Sequence, residues 1–209
     1  MAEDQTTAAA PGQSRGRRPT PIAEDETMRI RDLPREEMTE AQGRVADEAV
    51  AGKRGRIPAP LRAWIHSPEL GARAQRLGEF CRYDTTLGPR LSELAILVVA
   101  RFHTAHYEWF AHKREALKAG LDPSIVADIA ARRIPDLAEP RDRAVYDYVS
   151  TLLVTHRVPD DVHAAAVRAL GEAGVVELVG VVGYYILVAL TLNAFEIGLP
   201  DGETSDLAP

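Results

Sequence analysis

The chain has 209 residues, 45% of them apolar, which is enough for one well-buried core and fits the size of a single domain. A formal net charge of -6 and a pI near 5.6, with basic residues scattered among acids, argue against nucleic acid or a membrane surface as partner and favour a small molecule or another protein. The single cysteine, Cys81, excludes an intramolecular disulfide and any CxxC chemistry, and suits a cytoplasmic protein.

Residues 1–30 mix Ala, Pro, Gly, Ser and charges without apolar periodicity and read as a disordered tail. No apolar run precedes the Arg15–Arg18 cluster, so no export signal is expected. Residues 31–55 form a helical extension, polar and surface-lying, opened at Pro34 and closed at Gly52, and KRGRIPAP after it is a linker. The main helical domain spans residues 56–200, with 201–209 as a C-terminal tail. Ser67-Pro68-Glu69 predicts a capped helix start and a helix to about Asp84. Gly88-Pro89 opens the strongly apolar stretch RLSELAILVVARFHTAHYEWFAHKREALKAGL, one helix or two, stopped at Gly120. Asp122-Pro123, Glu139-Pro140 and Pro159-Asp160 each start a further helix, the second running to about His156 and the third to about Gly171. The last, GVVELVGVVGYYILVALTLNAF, approaches the length of a membrane span, yet Glu177, Asn193, Glu196 and its glycines suit a core helix of a bundle or oligomer, and no membrane partner is expected. No run alternates with period two between hairpin turns, so the predicted fold is all-α.

Chemistry concentrates in the apolar central stretch, which holds Glu93, Arg101, His103, His106, Glu108 and His112. Glu108 and His112 are four apart and share one helix face, with Trp109 beside the acid as an apolar wall, so they are expected to form a proton-transfer pair. The same pair could instead be a structural ion pair. Glu93 joins them as a second carboxylate. Arg101 could snorkel to solvent or hold a substrate carboxylate in a bidentate fork. His103 and Trp109 are candidate substrate contacts, and Tyr184 is either a core aromatic or a donor lining the pocket. On one helical wheel His103 and His106 lie away from Glu108 and His112, HExxH is absent, and no metal site is expected.

The stretch from Arg90 through YEWFAH and AGLDPSIVADI, followed by GEAGVVELVGVVGYYILVALTLNAFEIGLP, resembles the carboxymuconolactone decarboxylase family, which includes AhpD-like proteins, over roughly residues 56–200. The resemblance implies an AhpD-like helical bundle, assembly as a homo-oligomer (dimer, trimer or hexamer), no organic cofactor, and functional positions at Glu93 and His112. The peroxidase branch carries a CxxC whose two cysteines correspond here to Ala105 and Glu108, so a dithiol cycle is not expected in this chain. The function expected from this resemblance is a cofactor-independent, decarboxylase-like lyase on a small carboxylated or lactone substrate. His112 would be the acid/base, Glu108 its orienting group and Arg101 the carboxylate clamp. A non-catalytic helical oligomer and an oxidative-stress protein using a metal or an external thiol are the rivals.

Overall fold

The computed structural model describes Met1 and residues 28–208. Most of the tail expected at 1–30 therefore lies outside the described residues. Among these the protein is all-α: a 3-10 turn at Arg35–Glu37, then α1 (Glu40–Ala51), α2 (Ala59–Trp64), α3 (Pro68–Tyr83), α4 (Pro89–Phe102), α5 (His106–Lys118), α6 (Pro123–Ala130), α7 (Pro140–Thr155) and α8 (Asp160–Ala194).

The chain builds most of these starts with local backbone chemistry. Pro occupies the first helical position of α3, α4, α6 and α7, where its missing N–H costs nothing. Asp122 caps α6 by accepting from Ser124 N. Two starts differ from expectation. Pro34 opens only the 3-10 turn, and α1 begins six residues later, behind a capping box in which Gln42 N donates to Thr39 Oγ1 and Thr39 N to Gln42 Oε1. Ser67 makes no side-chain cap, although α3 starts beside it. A helix that was not expected, α2, starts in the last two residues of the linker and runs on beyond it, and its Trp64 donates from Nε1 to Thr191 Oγ1 at 2.8 Å.

The central stretch is two helices. Its first half, α4, is buried without interruption from Leu91 to Arg101, and α3, α5, α6, α7 and α8 all pack on it. A helix apolar on every side is stable only when surrounded in this way. The break follows Phe102: Thr104 sits at φ 47, Ala105 N donates to Ala100 O at 2.8 Å and Thr104 N to Arg101 O at 3.2 Å, which closes α4 in a Schellman motif. The chain then turns back and α5 lies against α4. Two polar ties fix the start of α4. Glu177 accepts from Thr86 N and Oγ1 at 2.7 and 2.6 Å, and Arg90 pairs with buried Asp142 at 2.6 Å.

Helix α8 is the one helix among the described residues long and apolar enough to cross a membrane, and 56% of its most apolar window is buried inside the protein. Gly171 interrupts it at φ 75, ψ 166, a conformation open essentially to glycine, so the two helices expected there are two rods of one run. A side chain at this exposed position would meet no neighbour. Gly171→Ala therefore carries a purely conformational cost and is expected to lower stability by about 1–3 kcal/mol in urea unfolding; an unchanged midpoint would mean that the kink relaxes freely.

Candidate active site

Three helices and a linker bring one buried polar cluster together. Glu93 comes from the second turn of α4, His112 and Glu108 from α5, Tyr184 and Tyr185 from α8, and Arg54 from the segment between α1 and α2. Their joining contact is a 2.7 Å hydrogen bond from His112 Nδ1 to Glu93 Oε2, with both side chains more than nine-tenths buried. A carboxylate only accepts, so Nδ1 carries the proton and Nε2 is left as the basic nitrogen of the neutral ring. The ring stands edge-on to Tyr185 at 4.9 Å, and Tyr185 stands edge-on to Tyr184 at 5.2 Å.

This geometry corrects the expected pairing. Glu108 shares the α5 face with His112, but the imidazole reaches across the seam to α4 and takes Glu93 as partner. Shared helix face is fixed by spacing, whereas the group on the opposing helix is fixed by how the two helices dock. Glu108 is only 1% exposed and both its carboxyl oxygens lack a hydrogen-bond partner. Burial first, and the charge of Glu93 second, hold its pKa well above the usual carboxylate range, which favours the neutral acid. Burial, reinforced by Glu93, likewise keeps the Tyr185 hydroxyl protonated far beyond its ordinary range.

Arg54 is the member that the sequence did not reveal, because KRGRIPAP reads only as a linker. Its Nε and Nη2 are buried without a hydrogen-bond partner. Nη2 and the Tyr184 hydroxyl converge over Gly78, where an added Cβ would lie 2.7 and 2.0 Å from them, so the absence of a side chain at Gly78 is what admits the pair. Burial raises the Tyr184 pKa while the Arg54 charge pulls it back, and Arg54 also acts on Tyr185 and Cys81. The Cys81 thiol is 1% exposed and pushed up to about 11 by burial, which leaves it unreactive at neutral pH.

The other expected contacts lie elsewhere. Arg101 follows Glu93 by eight residues, so it sits about 12 Å farther along α4 and points to a different side. It joins Thr104 and Arg132 and cannot clamp a substrate held at His112. His103 caps α4; its ring meets Phe102 edge-on at 5.1 Å, and burial lowers its pKa. The single helical wheel that placed His103 relative to His112 fails because the helix breaks between them. Trp109 is fully buried and donates from Nε1 to Asp206 Oδ1 at 2.8 Å, while Lys113 pairs with the same carboxylate. The expected C-terminal tail is thereby pinned to α5, with Leu207 buried against the core. Among the described residues no three His, Cys, Asp or Glu side chains are placed to hold a metal ion together.

The cluster can move a proton. His112 offers a base or, once protonated, an acid whose charge Glu93 offsets, and Glu108 and Tyr185 are neutral O–H groups beside it. Arg54 supplies a fixed positive charge.

Comparison with known proteins agrees with this architecture. The model of the carboxymuconolactone decarboxylase family matches residues 68–151, which run from α3 through α4, α5 and α6 to most of α7 and include Glu93, Glu108 and His112. Among solved structures, the AhpD core of an uncharacterised peroxidase-related protein from Ralstonia eutropha JMP134 superposes with a TM-score of 0.69 at 15% identity, covering 84% of this chain and 93% of that one. An uncharacterised peroxidase-related protein from Silicibacter sp. TM1040 gives 0.68 at 15% identity, covering 87% and 96%. The debrominase Bmp8 gives 0.60 at 11% identity, covering 78% and 86%. A search of curated protein sequences returned no significant match. Residues 68–151 thus match the carboxymuconolactone decarboxylase family, and the helices take an AhpD-like fold, in a chain that carries no CxxC motif.

Proposed function

We propose that the protein is a cofactor-independent lyase of the decarboxylase type that acts on a small carboxylated or lactone substrate by general acid/base catalysis. The observation that carries this reading is the buried hydrogen bond between Glu93 and His112, set beside a neutral Glu108 and the Arg54 guanidinium. The bond from the substrate carbon to its carboxylate breaks, CO2 departs, and the electron pair passes into a conjugated carbonyl to form a dienolate. Protonated His112 delivers its Nε2 proton to carbon and regains one from solvent. Glu93 offsets the imidazolium charge at Nδ1. Arg54 and the Tyr184 hydroxyl face the dienolate oxygen, and Glu108, being neutral, adds no repulsion to the anion. Arg101, His103 and Trp109 have no place in this scheme.

Self-association belongs to the same proposal. Val176, Val179, Gly183, Leu187 and Leu190 fall on one side of α8 at helical spacing and are exposed, Val176 by 72% and Leu190 by 52%. A continuous apolar stripe of this kind on a helix that already anchors the core suits a second copy of the chain.

His112→Gln is expected to keep the helical circular dichroism of the wild type and to lower CO2 release from a panel of carboxylated lactones and β-keto acids by about 10²–10⁴-fold. Arg54→Met should lower the same rate by about 10²–10³-fold through loss of an oxyanion partner. Unfolding of both variants would instead assign the cluster a purely structural role. Glu108 makes a second, independent prediction. A raised carboxyl pKa contributes stability that is complete below its unfolded value near 4.3 and is lost as pH rises through the folded value. Wild type should thus lose stability above about pH 4.3, at up to about 1.4 kcal/mol per pH unit, relative to Glu108→Gln, which cannot ionise; parallel urea midpoints from pH 4 to pH 9 would refute the assignment. Leu190→Glu is expected to convert an oligomer to monomer by light scattering, and a monomeric wild type would sink the self-association reading.

A further inference from the structure

Away from the His112 cluster, α4, α6 and α7 enclose a cleft of about 200 Å³ that shares no lining residue with it. Arg101 lines it and is 5% exposed. Its Nε is buried without a hydrogen-bond partner, and its Nη1 donates only to Thr104 Oγ1 at 3.3 Å. Arg132 donates from Nη2 to the same hydroxyl at 3.1 Å. Arg133 also lines the cleft, but Asp128 holds its guanidinium at 2.7 Å. Two guanidiniums therefore share one neutral oxygen, and neither has a carboxylate partner among the described residues.

The backbone is bent to make this arrangement. Thr104 at φ 47 and Arg132 at φ 57 are the left-handed closing residues of α4 and α6, and both helices end in the same motif, with Arg133 N donating to Asp128 O at 2.8 Å and Arg132 N to Ile129 O at 3.0 Å. Glycine is the easy residue at such a position, and a β-branched threonine is a poor one. What these two side chains add is the bridging hydroxyl and the second guanidinium. The two helix C-termini supply about half a negative charge each. Set against two full positive charges, that leaves about one positive charge for a ligand. Burial, with Arg132 as the second cause, already lowers the Arg101 pKa, as expected for a desolvated cation lacking a counter-ion.

We propose that this cleft is a second binding site, for a small organic monocarboxylate whose carboxylate lies between Arg101 and Arg132 and whose apolar body lies against Val98, Phe102, Ile129 and Leu153. The planar fork of arginine matches a carboxylate in two parallel hydrogen bonds. An apolar cavity of about 150 Å³ accommodates benzene, so the cleft takes a ligand of roughly benzoate size.

The test is isothermal titration with benzoate at constant ionic strength, with methyl benzoate as the uncharged control, on wild type, Arg54→Met, Arg101→Gln and Arg132→Gln. Saturable one-to-one binding is expected in wild type and Arg54→Met, with no binding of methyl benzoate. Loss in Arg101→Gln and about ten- to hundred-fold weakening in Arg132→Gln, the loss of one charged hydrogen bond, complete the expected result. Arg132 is exposed, so this variant keeps the test decisive should Arg101→Gln fail to fold. Binding that survives both arginine changes, or disappears in Arg54→Met, overturns the proposal. So does wild type that binds no benzoate while Arg101→Gln and Arg132→Gln dissociate an oligomer, because the cleft would then hold a carboxylate of a second copy.

Discussion

The constraint on which the rest of this structure depends is the burial of α4 on every side. Eleven consecutive residues, Leu91 to Arg101, are removed from water, and five other helices supply the surface that covers them. Such a helix tolerates polar side chains only where another element brings a partner, because an unpaired buried charge costs several kcal/mol. Two ionisable residues lie on it all the same, Glu93 near its start and Arg101 near its end. Each organises a separate polar cluster.

At the Glu93 end the docking of α5 supplies His112, and the pair is sealed by the aromatic edges of Tyr185 and Tyr184. Once Glu93 is paired and charged, its neighbour cannot easily ionise as well. Glu108, buried beside it with no donor to its oxygens, stays neutral. Two carboxyl groups of the same chemistry thus sit in different surroundings, one against an imidazole and the other buried with no donor to its oxygens. Acid/base sites commonly depend on such a division. Arg54 adds a full positive charge, which acts on Tyr185 together with that of Arg82, and it enters through a gap left by Gly78 on α3.

At the Arg101 end no acid is supplied. Two strained helix ends, at Thr104 and Arg132, bring a hydroxyl and a second guanidinium instead. Strain of this kind persists only where the surrounding structure holds it in place. Here the Schellman hydrogen bonds of α4 and α6 do so. The two ends of one helix therefore offer opposite electrostatic environments, one suited to moving a proton and the other to holding an anion.

The sequence by itself determined the all-helical class, most helix starts and stops, and the identity of Glu93, Glu108 and His112 as the unusual groups. Those features are written in short-range chemistry: proline at the first helical position, glycine or a short polar side chain at an end, and ionisable residues inside an apolar run. The short helix α2 escaped notice because Ala59–Trp64 has little apolar periodicity of its own and is held by the Trp64 contact to Thr191, 127 residues away. Only the tertiary structure decided that His112 bonds Glu93 rather than Glu108, that Arg101 belongs to a different site, that Trp109 anchors the C-terminal segment, and that a linker arginine joins the cluster. Each of these depends on the register and rotation of one helix against another, and contacts between residues far apart in the chain leave no periodic mark within either segment.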